Sequence, residues 1–152
     1  MTMRHVPAAV LAAVLALQCS TADAASVRRE VVVNRSPQEV WDAVRDFGAV
    51  HRRLVPGFVT ACEVDGTTRT VTFANGTQAR EVLVDSDDQA RRLVYAVVGG
   101  RLTEHSASVQ VLADGKGARI VWIADFLPNE LQPYIAGQMD EAVKAMKKAL
   151  DN

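Results

Sequence analysis

The last third of the chain constrains the fold more than any other stretch. From Thr103 to Leu112 the residues alternate, with His105, Ala107, Val109 and Val111 on one face and Glu104, Ser106, Ser108 and Gln110 on the other. Period-two alternation of this kind marks a strand with one face buried. Asp114-Gly115-Lys116-Gly117 then turns the chain into a second strand, Arg119 to Phe126. Beyond it the period changes. Leu131, Tyr134, Ile135, Met139, Ala142, Val143, Met146 and Leu150 recur at three and four residues, so Pro128 to Leu150 is expected as one amphipathic helix of about six turns. Acidic Glu130, Asp140 and Glu141 precede Lys144, Lys147 and Lys148, an order that suits the helix dipole. An antiparallel sheet closed by a single long helix makes a container. It favours holding an apolar small molecule over any one reaction.

The preceding residues supply the rest of that sheet. Val27 to Val33 is a β-branched strand, and Ser36-Pro37 with Glu39 is a helix start: an N-cap, a proline at the first position and a capping-box carboxylate. Val40, Trp41 and Val44 form the buried stripe of that short helix, and Phe47 to Leu54 reads as a second, stopped near Pro56-Gly57. Strands are expected at Phe58 to Val64, Arg69 to Phe73, Gln78 to Asp85, Arg92 to Val98 and Leu102 to Leu112. Asp65-Gly66, Asn75-Gly76, Ser86-Asp87-Asp88 and Gly99-Gly100 separate them. Short spacings without helical crossovers give an α+β class with sequential antiparallel strands.

The N-terminus differs in kind. Arg4 and His5 precede an apolar run from Val6 to Leu17, and Ala22-Asp23-Ala24 follows. A basic start, a short apolar core and an Ala-x-Ala site read as a secretory signal over residues 1–24, with cleavage after Ala24 or Ala25. The apolar run is too short for a comfortable membrane span, so no stable span is expected after cleavage and the domain, residues 25–152, is expected in the periplasm or secreted. Cys19 falls inside the signal. Cys62 is then alone, cannot form an internal disulfide, and reads as a half-buried strand thiol rather than a nucleophile. A formal net charge of -1 without a basic run excludes a nucleic-acid patch. His51 and His105 show no ligand spacing with Cys62 or the carboxylates, so neither a metal nor another cofactor is expected.

The order of these pieces resembles the START-like superfamily, also called SRPBCC, in its polyketide cyclase/dehydrase and lipid-transport branch. Val31-Val32-Val33 before Ser36-Pro37-Gln38-Glu39-Val40-Trp41, then Asp46-Phe47, is similar to the family's opening. Val59 to Cys62, Glu81-Val82-Leu83 before Asp87-Asp88, Leu93-Val94-Tyr95 and Trp122-Ile123-Ala124-Asp125-Phe126 before Pro128 continue the likeness across residues 27–150. The resemblance implies a helix-grip fold: a curved antiparallel sheet of about seven strands around the C-terminal helix, with two short helices between the first two strands. Gly99-Gly100-Arg101-Leu102-Thr103 also resembles the cavity-mouth segment of the plant abscisic acid receptors, two residues shorter. Their other mouth loop, Gly-Leu-Pro-Ala, is replaced here by Phe73-Ala74-Asn75-Gly76, and their cavity lysine has no match near Arg52 to Pro56. That likeness implies a gated cavity and not hormone recognition or a phosphatase partner.

Parity nominates the cavity wall. On the strands it selects Tyr95, Val97, His105, Ala107, Val109, Trp122, Ala124 and Phe126, with Phe73 at the mouth. The closing helix contributes Leu131, Tyr134, Ile135 and Met139, with Gly137 as a soft point. For the strand after Ala79, alternation alone leaves Glu81 and Leu83 or Val82 and Val84 as the inward pair. The resemblance implies that Glu81, and with it Leu83, faces the cavity. The alternative pairs Glu81 outside with Arg80 or Arg92. The leading expectation is an exported carrier or sensor for a hydrophobic small molecule or lipid. The alternatives are a cyclase- or dehydratase-like enzyme drawing acid–base help from Glu81, Tyr95 or His105, and an interaction module with a vestigial cavity. The oligomeric state has no sequence signal.

Overall fold

A computed structural model describes residues 24–151, so the expected signal and its cleavage site at Ala24 border or lie outside the described residues. β1 (Ala25–Val33) buries Val27, Val31 and Val33 and ends before Ser36. There the expected capping box is complete: the Ser36 hydroxyl accepts from the Glu39 N–H at 3.3 Å, and the Ser36 N–H donates to Glu39 Oε2 at 3.0 Å. α1 (Pro37–Val44) buries Val40, Trp41, Ala43 and Val44. The expected second helix is shorter and broken, a 3-10 turn over Phe47–Ala49 running into α2 (Val50–Arg53). Neither piece has a side-chain cap, and so short a helix does not extend on local propensity alone.

Six strands follow: β2 (Val59–Asp65), β3 (Thr68–Phe73), β4 (Gln78–Asp87), β5 (Arg92–Val98), β6 (Glu104–Asp114) and β7 (Gly117–Leu127). All pairings in the sheet are antiparallel in the order β1-β7-β6-β5-β4-β3-β2, which makes the first and last strands neighbours and places β1 and β2, consecutive in the chain, at opposite edges. Two expected boundaries move. β4 runs through Ser86 to Asp87 because a bulge between Leu83 and Asp85 absorbs one residue. The Asp87 carboxylate then caps the turn by accepting from the N–H groups of Gln89 and Ala90 at 2.8 and 2.9 Å. β6 starts at Glu104 rather than Leu102, since the linker after β5 carries Gly99 and Gly100 at φ +80° and +70°.

The closing helix is also later than expected. Asn129–Leu131 forms a 3-10 turn, and α3 spans Gln132–Leu150. Pro133 explains the shift. Its ring removes a donor and clashes with the carbonyl four residues back, so it fits only in the first turn of a helix. α3 lays Met139, Ala142, Met146 and Leu150 against the concave face. It is tied to β1 by Arg29 Nε to Asp140 Oδ1 at 2.5 Å and Lys147 Nζ to the Val32 carbonyl at 2.9 Å. Arg35 Nε donates to the Leu150 carbonyl at 2.9 Å, fixing the far end. The sheet and helix therefore close as a grip, with α1 and α2 plugging one end. No helix among the described residues is long and apolar enough to cross a membrane.

Candidate functional site

The grip does not close completely. Between the concave face and α3 lies a cavity of about 530 Å³, within the range of sites that enclose small molecules. β3 and β4 provide Phe73 and Glu81, β5 provides Tyr95 and Val97, β6 provides His105 and Val109, and β7 provides Trp122 and Ala124. From the other side come Leu131, Tyr134, Ile135 and Met139. The predicted Leu83, Ala107 and Phe126 do not line it. Leu83 sits at the bulge, half-buried. Ala107 has only a methyl group, and its cross-strand partners Tyr95 and Ala124 hold the cavity surface on either side. Phe126, 2% exposed, is packed into the core between Ala25 and His105. Alternation sets the face on which a side chain lies, and not how far along that face the packing stays open.

Sequence reasoning missed the end wall and its buried cation. Val44, Val50 and Leu54 from the short helices line the cavity, as does Arg69 of β3. Arg69 is 7% exposed and stands directly across the β3–β4 ladder from Glu81, also 7% exposed. Its Nε donates to Glu81 Oε2 at 2.6 Å, its second terminal nitrogen lies 2.6 Å from the same oxygen, and Nη1 donates to the Phe47 carbonyl at 2.8 Å. The Phe47 ring covers the guanidinium at 3.9 Å, with the Tyr95 ring at 5.6 Å. Glu81 thus faces inward, and its partner is neither Arg80 nor Arg92. The alternation Arg69, Val71, Phe73 carried the signal, because an arginine in phase with buried apolar residues needs an internal counter-ion.

Burial governs the titration of this end. It holds the Glu81 carboxyl above the ordinary carboxylate range even against Arg69, and holds the Tyr95 phenol far above its ordinary value, with the Glu81 charge adding to the effect. Tyr95 is therefore a proton-bearing hydroxyl across the physiological range. Trp122 Nε1 lies near enough to that hydroxyl to pull its pKa slightly down, yet it is buried and completes no hydrogen bond among the described residues. His105 serves differently. Backbone pairing of β5 with β6 reaches only Tyr95 and Ala107, and beyond it the Val97 N–H donates to His105 Nδ1 at 3.0 Å. The imidazole replaces a rung where the two strands splay towards the mouth. Desolvation pushes its pKa down, with Asp125 partly opposing, so the ring stays neutral with Nδ1 as acceptor.

The mouth is framed by the Phe58 and Phe73 rings, edge to face at 5.4 Å, and by Gly99-Gly100-Arg101-Leu102, opposite Tyr134 and Gln138 of α3. Cys62 lies outside this space. It is half-buried against the Phe47 carbonyl at 3.8 Å, and burial pushes its thiol pKa up, away from nucleophilic use. Among the described residues no group of three or more His, Cys, Asp or Glu side chains could hold a metal ion.

Residues 24–152 match the family model for polyketide cyclase / dehydrase and lipid transport, a span that includes every described residue. The chain belongs to that family. No curated protein matches it. Solved structures give the same fold. An uncharacterized protein from Bacillus thuringiensis superposes with a TM-score of 0.74 at 18% identity, covering 83% of this chain and 98% of the other. A norcoclaurine synthase point mutant from Thalictrum flavum, solved with a transition-state analogue, gives a TM-score of 0.66 at 21% identity over 88% and 97%. A protein from Thermobifida fusca gives 0.64 at 27% identity over 84% and 96%. The START-like resemblance and the helix-grip architecture hold, and with them a fold suited to hydrophobic ligands.

Proposed function

We propose that this protein is an exported carrier or sensor that holds one hydrophobic small molecule or lipid between its sheet and α3. One observation carries the reading: the cavity is walled mainly by Val, Leu, Met and aromatic side chains, and its buried Arg69 and Glu81 and half-buried His105 are already committed to protein partners. The Glu81 carboxylate, the natural candidate for acid–base work, is bound to Arg69, and the His105 acceptor nitrogen is bound to Val97. Apolar surface of this kind gains free energy by covering a ligand, at about 25 cal/mol per Å² removed from water. Residues 1–24 support export by their composition, and β1 begins at Ala25, so cleavage after Ala24 leaves every strand intact.

The test is native mass spectrometry of the full-length protein expressed with its own N-terminus and recovered from the periplasm. The expected result is a mature chain beginning at Ala25 or Ser26 with one apolar molecule per chain, released on denaturation. Purified protein that carries nothing and also fails to enhance the fluorescence of the neutral dye N-phenyl-1-naphthylamine would overturn the binding function. Retention of residues 1–24 in the cytoplasm would overturn export alone.

A further inference from the structure

The polar atoms left free in the cavity specify more than hydrophobicity. Arg69 is the buried cation of the cavity, and it is spent: Glu81 Oε2 takes two of its nitrogens, the Phe47 carbonyl takes the third, and the Phe47 ring covers its face, whereas Arg80 and Arg101 line the cavity from exposed positions. An anionic headgroup entering here would meet a neutralised pair beside a carboxylate. The unspent groups are of another kind. Trp122 Nε1 is a buried donor without a partner among the described residues. The Tyr95 hydroxyl keeps its proton and lies beside it. His105, with Nδ1 accepting from Val97, carries its remaining proton on Nε2. Glu81 Oε1 has no hydrogen bond among the described residues, while Oε2 has two contacts with Arg69.

Several donors and one free carboxylate oxygen complement a neutral oxygenated group. A ketone or hydroxyl oxygen accepts from Trp122 Nε1 and the Tyr95 hydroxyl, and a ligand hydroxyl donates to Glu81 Oε1. An unpaired indole N–H in an apolar site is costly, so a ligand oxygen that satisfies it gains both the new bond and relief of that cost. A carboxylate at this seat gains no free cation, since Arg80 and Arg101 line the cavity only from exposed positions, and must shed its water against Glu81. We infer that the buried end of the cavity selects uncharged apolar molecules bearing a ketone or hydroxyl group, seated at Trp122, Tyr95 and Glu81, over fatty-acid anions of the same length. This inference rests on the binding function proposed above and names the ligand class of that site.

Displacement of N-phenyl-1-naphthylamine at pH 8 by three chain-matched probes, 2-decanone, 1-decanol and decanoate, tests it. The ketone and the alcohol should displace the dye at concentrations at least about tenfold below decanoate, a gap of about 1.4 kcal/mol. Trp122→Phe should weaken 2-decanone about three- to tenfold, after each displacement is corrected for the variant's own directly titrated dye affinity. Glu81→Gln should narrow the gap or reverse it, because Arg69 then has charge to offer. Should that variant fail to fold, the wild-type probe series and Trp122→Phe still decide the matter. Dye binding with decanoate equal to or tighter than the neutral probes refutes the ligand class and leaves the carrier standing. An unchanged ketone affinity in Trp122→Phe refutes the seat. Failure of the dye and all three probes to bind overturns the carrier, and this inference with it.

Discussion

Removing one member of the Arg69–Glu81 pair should cost far more than removing both. The two side chains are 9% exposed each and meet at 2.6 Å, so either alone leaves a charge buried without its partner. That situation costs about 3–5 kcal/mol, a large part of the 5–15 kcal/mol that typically holds a domain together. Arg69→Met also deprives the Phe47 carbonyl of its donor, adding about 1 kcal/mol. Glu81→Leu strands the guanidinium instead. In the double variant the desolvation penalty of both ions disappears with their attraction, leaving the lost Phe47 hydrogen bond and ring contact, about 1–3 kcal/mol. The coupling energy between the two sites should therefore exceed about 2 kcal/mol. Urea denaturation of the four proteins, followed by tryptophan fluorescence and circular dichroism, measures it. A pH series adds a sign. In Arg69→Met only the upward push of burial acts on Glu81, so its folded-state pKa is raised further above the unfolded value. Stability is then greatest when the carboxyl is protonated and is lost as pH rises through the folded pKa, so the cost of this substitution should shrink on acidification. Single-variant losses that simply add, within about 0.5 kcal/mol, would refute the argument.

Three further outcomes are expected. Because the folded-state pKa of His105 is lowered, the unfolded chain takes up a proton that the folded chain refuses once pH falls below 6.5. Wild type should then lose stability relative to His105→Phe towards the lowered pKa, by at most about 1.4 kcal/mol per pH unit, as read from urea midpoints at pH 7.5 and 5.5. Gly117→Ala puts a methyl group 2.2 Å from the Val33 carbonyl oxygen and should cost about 3 kcal/mol or more in thermal denaturation. Gly115→Ala, in open space at φ +56°, should cost about 1–2 kcal/mol, and equal losses at the two positions would contradict the close approach of β1 to β7. Ala124→Trp should fill the cavity and abolish dye binding with a stability cost of about 1–3 kcal/mol. Retained dye affinity in a folded Ala124→Trp protein would place the binding site elsewhere.

What the sequence determined is the part governed by local periodicity and local chemistry. The alternation of His105, Ala107, Val109 and Val111 assigned a strand face, the three-and-four spacing up to Leu150 assigned the closing helix, and Ser36-Pro37-Gln38-Glu39 assigned the start of α1. These features are encoded by neighbours a few residues apart, so they survive without tertiary information. Pro133 carried the information that α3 starts after Leu131, but the apolar periodicity on both sides of it masked that signal. Depth was decided by the tertiary structure. Nothing local distinguishes Ala107 and Phe126, packed beneath or beyond the cavity, from Ala124 and Trp122 on its wall. The pairing of Arg69 with Glu81 likewise required the β3–β4 register, and the role of His105 required β5 and β6 to part at the mouth. A charge buried in a core finds its partner across the sheet, and only the assembled sheet brings that partner within 2.6 Å.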